Sequence, residues 1–130
     1  LPAFLAKTST AIDDTGADLL NITIRAVSPD VDSALPYARE EVFAAVMFFE
    51  DAAGPAGDER QRELARRLID AAIAEGGSFY LPYRRHATPA QFEAAYPDAR
   101  AFFEAKARLD PQWRFSNYWG QQYRGAGSGP

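Results

Sequence analysis

Three polar side chains, Asn21, Thr23 and Arg25, occupy alternate positions in the otherwise largely apolar stretch Asp18 to Val27. Successive side chains of a strand point to opposite faces, so these three share one face. Such a row can line a substrate cleft, with the guanidinium of Arg25 holding an anion or stabilising negative charge as it develops. It also suits the solvent side of an antiparallel sheet. A second grouping is Tyr80, Tyr83, Arg84, Arg85 and His86, which includes the chain's one histidine. Two neighbouring cations favour a neutral imidazole, which can serve as a base or hydrogen-bond a substrate hydroxyl. The alternative is a loop whose polar groups face water or bind nearby carbonyls and carboxylates.

A third grouping follows the last long helical pattern: Trp113, Phe115, Tyr118, Trp119 and Tyr123. Aromatic residues this dense either close the domain's own core or dock against something else, because large exposed patches are uncommon on monomers. Other chemistries lack their residues. No cysteine is present, which removes disulfides, thiolate nucleophiles and zinc–thiolate sites. A single histidine rules out a His-rich metal centre, and Asp13-Asp14 and Glu40-Glu41 lack the spacing of a metal-binding loop, so no metal is expected. There is no Gly-x-Ser-x-Gly elbow, phosphate loop or dinucleotide fingerprint.

The composition is that of one ordinary domain. The 130 residues can bury a real core, and 14 basic against 18 acidic residues give a net charge of −4. That balance argues against a nucleic-acid surface, which needs a basic face. Acidic neighbours break up the group of arginines between Arg60 and Arg67, as on a solvated helix face. No apolar run approaches the ~20 residues that span a bilayer, and no signal peptide is visible, so a cytoplasmic protein without membrane contact is expected. The chain begins with Leu rather than Met, and is expected to have been cut from something longer.

The elements that must position these groups are legible in part. Residues Leu1 to Ala11 read as a short helical or irregular lead-in, followed by a turn at Asp13-Asp14-Thr15-Gly16. Asp18 to Val27 alternates as a strand, with Leu20, Ile22, Ile24 and Ala26 opposite the polar row. The near-continuous apolar run in Glu41–Glu50 reads as a strand covered on both faces. Residues 52–57 form a loop, and Asp58 caps a helix carrying Leu64, Leu68, Ile69, Ala72 and Ile73 on one stripe. Gly76-Gly77 stops that helix. Phe79 to Tyr83 is expected to be a third strand. Thr88, Pro89 and Gln91 supply an N-cap, a proline at the first helical position and the return half of a capping box. Phe92, Tyr96, Ala99 and Phe103 mark the buried stripe, Pro97 kinks or divides the helix, and Asp110-Pro111 closes it. The expected fold is α+β: a small, mainly antiparallel sheet with helices packed on one face, ferredoxin-like or partly so. Residues 1–16 would be a lead-in, 17–124 a single domain, and 125–130 a flexible tail.

Over residues 17 to 119 the chain resembles the C-terminal part of FAD-linked oxidases of the vanillyl-alcohol oxidase superfamily, in the sugar-lactone and alditol oxidase branch. The resemblance is carried, in order, by Asp18-Leu-Leu-Asn-Ile-Thr-Ile-Arg25, Tyr37-Ala-Arg-Glu-Glu-Val-Phe43, Gly76-Gly-Ser-Phe-Tyr-Leu-Pro-Tyr-Arg84 and Leu109-Asp-Pro-Gln-Trp-Arg-Phe-Ser-Asn117. It implies most of a cap, or substrate, domain, which covers a flavin held mainly by a separate N-terminal FAD-binding domain of the same polypeptide. Members oxidise an alcohol or lactone by hydride transfer to the flavin. Arg25 matches the arginine of a Glu-x-Arg pair that faces substrate in the branch, but Thr23 stands where the glutamate would be. Asn117 matches a recurrent asparagine and is implied as a cofactor contact. On this reading Asn21, Thr23 and Tyr83 contact substrate, Arg25 and His86 are catalytic, and all five converge on one cleft. The chain alone would be inactive. The competing reading is a stand-alone α+β module for a small ligand or protein, dimeric through its open sheet or its aromatic end.

Overall fold

A left-handed glycine ends the first helix. In the computed structural model, which describes residues 1–50 and 53–125, α1 runs Pro2–Thr15 and closes on Gly16 at φ +61°. The Gly16 and Ala17 amides then bond back to the carbonyls of Asp13 and Ile12. The expected turn at 13–16 is thus mostly helix, because glycine lets the chain reverse after the last turn rather than before it.

The strands β1 (Asp18–Val27) and β2 (Val42–Glu50) follow and pair antiparallel, with Ile22 opposite Met47, Thr23 opposite Val46 and Arg25 opposite Ala44. A bulge between Leu19 and Asn21 interrupts the alternation. It puts Leu19 opposite Phe49, on the face that Leu20 was expected to share with Ile22 and Ile24, and leaves Leu20 as the extra, exposed residue.

Helix α2 (Pro55–Ala74) begins earlier than the expected Asp58 cap. Its N-cap is Gly54, Pro55 occupies the first turn, where its missing N–H costs nothing, and Asp58 is an acidic residue inside that turn. Ala52 of the expected 52–57 loop lies outside the described residues, as do 126–130 of the expected tail. The arginine-rich face of α2 is an ion-paired surface. Arg67 reaches Glu63 at 2.7 Å and Asp14 of α1 at 2.8 Å, while Arg62 pairs with Glu59. Gly76 at φ +74° ends the helix as expected.

After α2 the expected third strand, Phe79 to Tyr83, does not form. The segment runs irregularly into a turn at Leu81-Pro82. Phe79 and Leu81 pack against the helical core, and the Phe79 carbonyl accepts a hydrogen bond from the Tyr96 hydroxyl. A strand needs a partner, and here the local groups are already engaged by the helices. The capping box at Thr88 forms in both directions. Thr88 Oγ1 accepts from the Gln91 amide at 3.2 Å and Gln91 Oε1 from the Thr88 amide at 3.0 Å. Gln91 Nε2 also donates to Asp70 Oδ1 at 2.6 Å and the Arg66 carbonyl, so the cap ties α3 (Pro89–Ala95) to α2.

Pro97 separates α3 from α4 (Ala99–Leu109), and α5 (Tyr118–Tyr123) ends the described chain. The chain is an α+β protein with an antiparallel sheet, two-stranded among the described residues. Its core lies among the helices. Phe92, Tyr96, Ala99 and Phe103, the expected stripe, are all buried together with Ile69, Ala95 and Tyr123. Neither strand contributes a residue to that cluster. No helix among the described residues is long and apolar enough to cross a membrane.

Candidate functional site

The polar row stands on the exposed surface of the ribbon. Asn21, Thr23 and Arg25 are all exposed, and Thr23 Oγ1 donates to Asn21 Oδ1 at 3.3 Å. Across the ribbon their partners on the same face are Phe48, Val46 and Ala44. Arg25 sits opposite the smallest of these, which leaves room around its guanidinium. The row is a polar strip flanked by an apolar one, suited to a ligand with hydroxyls on one side and hydrocarbon on the other.

The second grouping divides. Tyr83 stacks edge-on to Tyr80 (5.0 Å between ring centroids), which in turn meets Tyr37 of the β1–β2 connector at 5.5 Å. Ser78 donates to the Tyr37 carbonyl, fixing that connector to the segment after α2. Arg85 turns to α5, lying 5.3 Å from the Tyr118 ring centroid and bonding the Tyr118 carbonyl at 3.3 Å. Tyr123 Oη and Gln122 Nε2 both donate to the Ala87 carbonyl, so α5 clamps this loop from the other side.

His86 is held against α2. Arg66 Nε donates to its carbonyl at 2.9 Å, and its own Nε2 is enclosed without a hydrogen-bond partner among the described residues. Burial, and then the charges of Arg84, Arg62 and Arg66, lower its pKa below the usual histidine value. The neutral form expected from the sequence is therefore favoured, and burial is the first cause. The consequence for stability has a definite sign. A histidine held neutral in the fold takes up a proton more readily once unfolded, so stability is full above the ordinary pKa of about 6.5 and falls as pH drops below it. Thermal melts at pH 8 and pH 5 should show this loss, and His86→Gln should reduce it. An unchanged pH dependence in the variant would remove His86 as its source.

The C-terminal aromatic group walls an open concavity of about 390 Å³ with Phe102, Phe103, Lys106, Trp113, Ser116, Asn117 and Trp119. Its architecture starts at Asp110. The carboxylate accepts from the amides of Arg114 (2.9 Å) and Phe115 (3.0 Å) and pairs with Lys106, one helical turn earlier. The Lys106 hydrogen bond first, then those two amides, hold the Asp110 pKa below the usual carboxylate value. The turn carries Trp113 at φ +52°, an uncommon conformation for a residue with a side chain. Its ring stacks beside Phe103 and has the cations of Lys106 and Arg124 at 5.4 and 5.7 Å. The aromatic group thus splits: Tyr123 is core, Trp113 and Trp119 are half-buried, and Phe115 and Tyr118 are exposed.

Asn117 lies in this wall. Its Oδ1 accepts the Gly120 amide at 2.8 Å as the N-cap of α5, so the oxygen has a structural task and the amide nitrogen is left to meet a ligand. This N–H₂, beside an aromatic hollow, fits a contact to the edge of a ring bearing acceptor oxygens. The expected convergence of Asn21, Thr23, Arg25, Tyr83 and His86 on one cleft is not realised. Among the described residues no hydrogen bond, ion pair or ring contact links the row to Tyr83 or His86, and none of the five lines the C-terminal hollow with Asn117. Each group is held by a different neighbour: the ribbon by its own pairing, Tyr83 by Tyr80, and His86 by α2. Lys106 was missed by sequence reasoning, although its i,i+4 spacing to Asp110 was a usable signal. Among the described residues no three histidine or carboxylate side chains gather as a metal site would need.

Comparison with family models, with curated proteins and with solved structures finds no match to this chain.

Proposed function

We propose that this chain is the C-terminal cap, or substrate, domain of a cytoplasmic FAD-dependent oxidoreductase acting on a sugar, polyol, lactone or related alcohol, and that it needs an FAD-binding domain of the same polypeptide to act. The observation that carries the reading is the exposed row of Asn21, Thr23 and Arg25, a strip of hydrogen-bonding groups on a ribbon that, among the described residues, lends nothing to the buried core. It is one wall of a site whose other wall must come from elsewhere. The turn from Asp110 to Asn117 is held by its own hydrogen bonds and carries the asparagine for which the resemblance implies a cofactor contact.

The flavin, when bound, supplies the hydride acceptor. The residues of this chain bind and orient. Asn21 and Thr23 take substrate hydroxyls, and Arg25 stabilises the negative charge that appears on the reacting oxygen as its O–H proton passes to solvent. Asn117 Nδ2 donates to the cofactor's edge. Tyr83 and His86 sit on the loop after α2, which no hydrogen bond, ion pair or ring contact among the described residues joins to the row.

The test is the mass and flavin content of the native gene product, recovered from its source with an antibody to this chain. A substantially longer polypeptide carrying FAD is expected. A colourless product of 130 residues would overturn the reading and leave a stand-alone small-ligand or protein-interaction module.

A further inference from the structure

We infer that the free edge of β2 is a pairing surface for a second copy of this chain, joining two ribbons into a continuous four-stranded antiparallel sheet. The evidence begins with the sequence of the strand. Val42 to Phe49 contains no charge, proline or glycine and is apolar on both faces, the pattern of an interior strand. Yet Phe43 and Phe48, which point to opposite faces, are 61 % and 59 % exposed. The strand pairs only with β1, and no other hydrogen bond among the described residues reaches residues 42–50.

Exposed edges of natural sheets are usually blunted by charges, prolines or bulges. The other edge of this ribbon has such devices: β1 carries the bulge at Leu20, together with Asp18 and Arg25. The edge of β2 has none within Val42–Phe49, which singles it out.

A second copy fits it in one register. With the two-fold axis at Val46, each Phe48 faces Ala44 of the other copy, each Met47 faces Ala45, and Phe43 faces Phe49. Phe48 and Met47 then lie opposite alanines, Phe43 and Phe49 form an aromatic pair near each end of one face, and Glu50 falls at the end of the ladder, clear of its middle. Shifting the axis to Ala45 would set Glu41 against Phe49, and shifting it to Met47 would set Glu50 against Ala44. Covering four half-exposed phenylalanines and two nine-residue edges removes on the order of 1,000 Å² from water, the lower bound for a specific interface. A ladder of backbone hydrogen bonds adds to that area. The polar row on β1 stays uncovered, so this pairing is independent of the flavin reading.

The chain has no native cysteine, which makes the register directly testable. Light scattering of the purified chain is expected to give twice 14.3 kDa at high micromolar concentration. Val46→Cys should form an intermolecular disulfide under mild oxidation, and a mixture of Ala44→Cys and Phe48→Cys should cross-link as a heterodimer. Thr23→Cys, on the other strand, should not. Val46→Lys and Val46→Glu should each weaken the dimer at least about tenfold through like charges at the axis, and mixing the two should restore it. That rescue distinguishes lost pairing from lost folding. A monomer at all concentrations overturns the inference. So does a dimer that cross-links through Thr23 and not Val46, or one that both charged variants leave intact.

Discussion

Replacing Phe92 with alanine is expected to destabilise the protein by about 3–5 kcal/mol, the cost of removing a fully buried phenylalanine from a core that cannot collapse onto the gap. Phe92 is 0 % exposed and touches aromatic neighbours on several sides. Tyr123 lies at 4.7 Å, Tyr96 at 5.3 Å, Trp119 at 5.4 Å and Phe103 at 6.4 Å between ring centroids. These rings come from α4, α5 and the residue that caps α3, so the hollow would be bounded by rigid walls that must each move to fill it. Domains are stable by only about 5–15 kcal/mol, so the loss would take away much of the reserve. It should lower the midpoint of thermal unfolding by roughly 10–20 °C. Phe115→Ala is the control, because that ring is exposed and should change stability by less than about 0.5 kcal/mol. Denaturant titration of the two variants checks this. Equal, small effects would mean that the aromatic cluster around Phe92 is not the core.

In the flavin-loaded protein of the proposed reading, Arg25→Ala should lower turnover by about 2–4 kcal/mol, roughly 30- to 900-fold. The side chain is exposed on the ribbon and stands opposite Ala44, with no ion pair among the described residues, so its removal leaves no buried charge behind. Loss of activity would therefore report on the site and not on folding, and the melting temperature should stay unchanged. Arg25→Lys should restore only part of the rate, because an ammonium keeps the charge and loses the paired donors of the guanidinium. The decisive readout is kcat with a saturating alcohol substrate. Unchanged turnover would remove Arg25 from the site and leave the polar row as ordinary strand surface.

How much of this could be read from the chain differs from segment to segment. The capping box at Thr88 and Gln91 was legible to the atom, because both bonds join residues three apart and depend on little else. The strand β1 was legible for the same kind of reason, although the bulge at Leu20 was not: an extra residue is recognised only against the partner strand. Phe79 to Tyr83 misled because its pattern suits a strand, while the Tyr96 hydroxyl and the helical core claim it first. The candidate site was legible as residue types and not as an arrangement. Nothing local announces that Arg85 turns to α5 while His86 is enclosed by α2, or that Trp113 takes a left-handed backbone.

By itself, then, the amino-acid order determined what is governed by neighbours along the chain. It set the capped and proline-divided helices, the buried stripe through Phe92 and Phe103, and the alternation that gives β1 a polar face. Tertiary structure decided what depends on groups far apart in sequence. The helices found their core among themselves, the ribbon kept Leu20, Ile22, Ile24, Phe43 and Phe48 exposed, and the polar groups were sent to separate neighbours. A hydrogen bond across three residues is set by backbone geometry alone. Where a side chain ends up among residues brought from 30 or more positions away, as Tyr123 does at the Ala87 carbonyl, is decided only by which packing buries the most apolar surface.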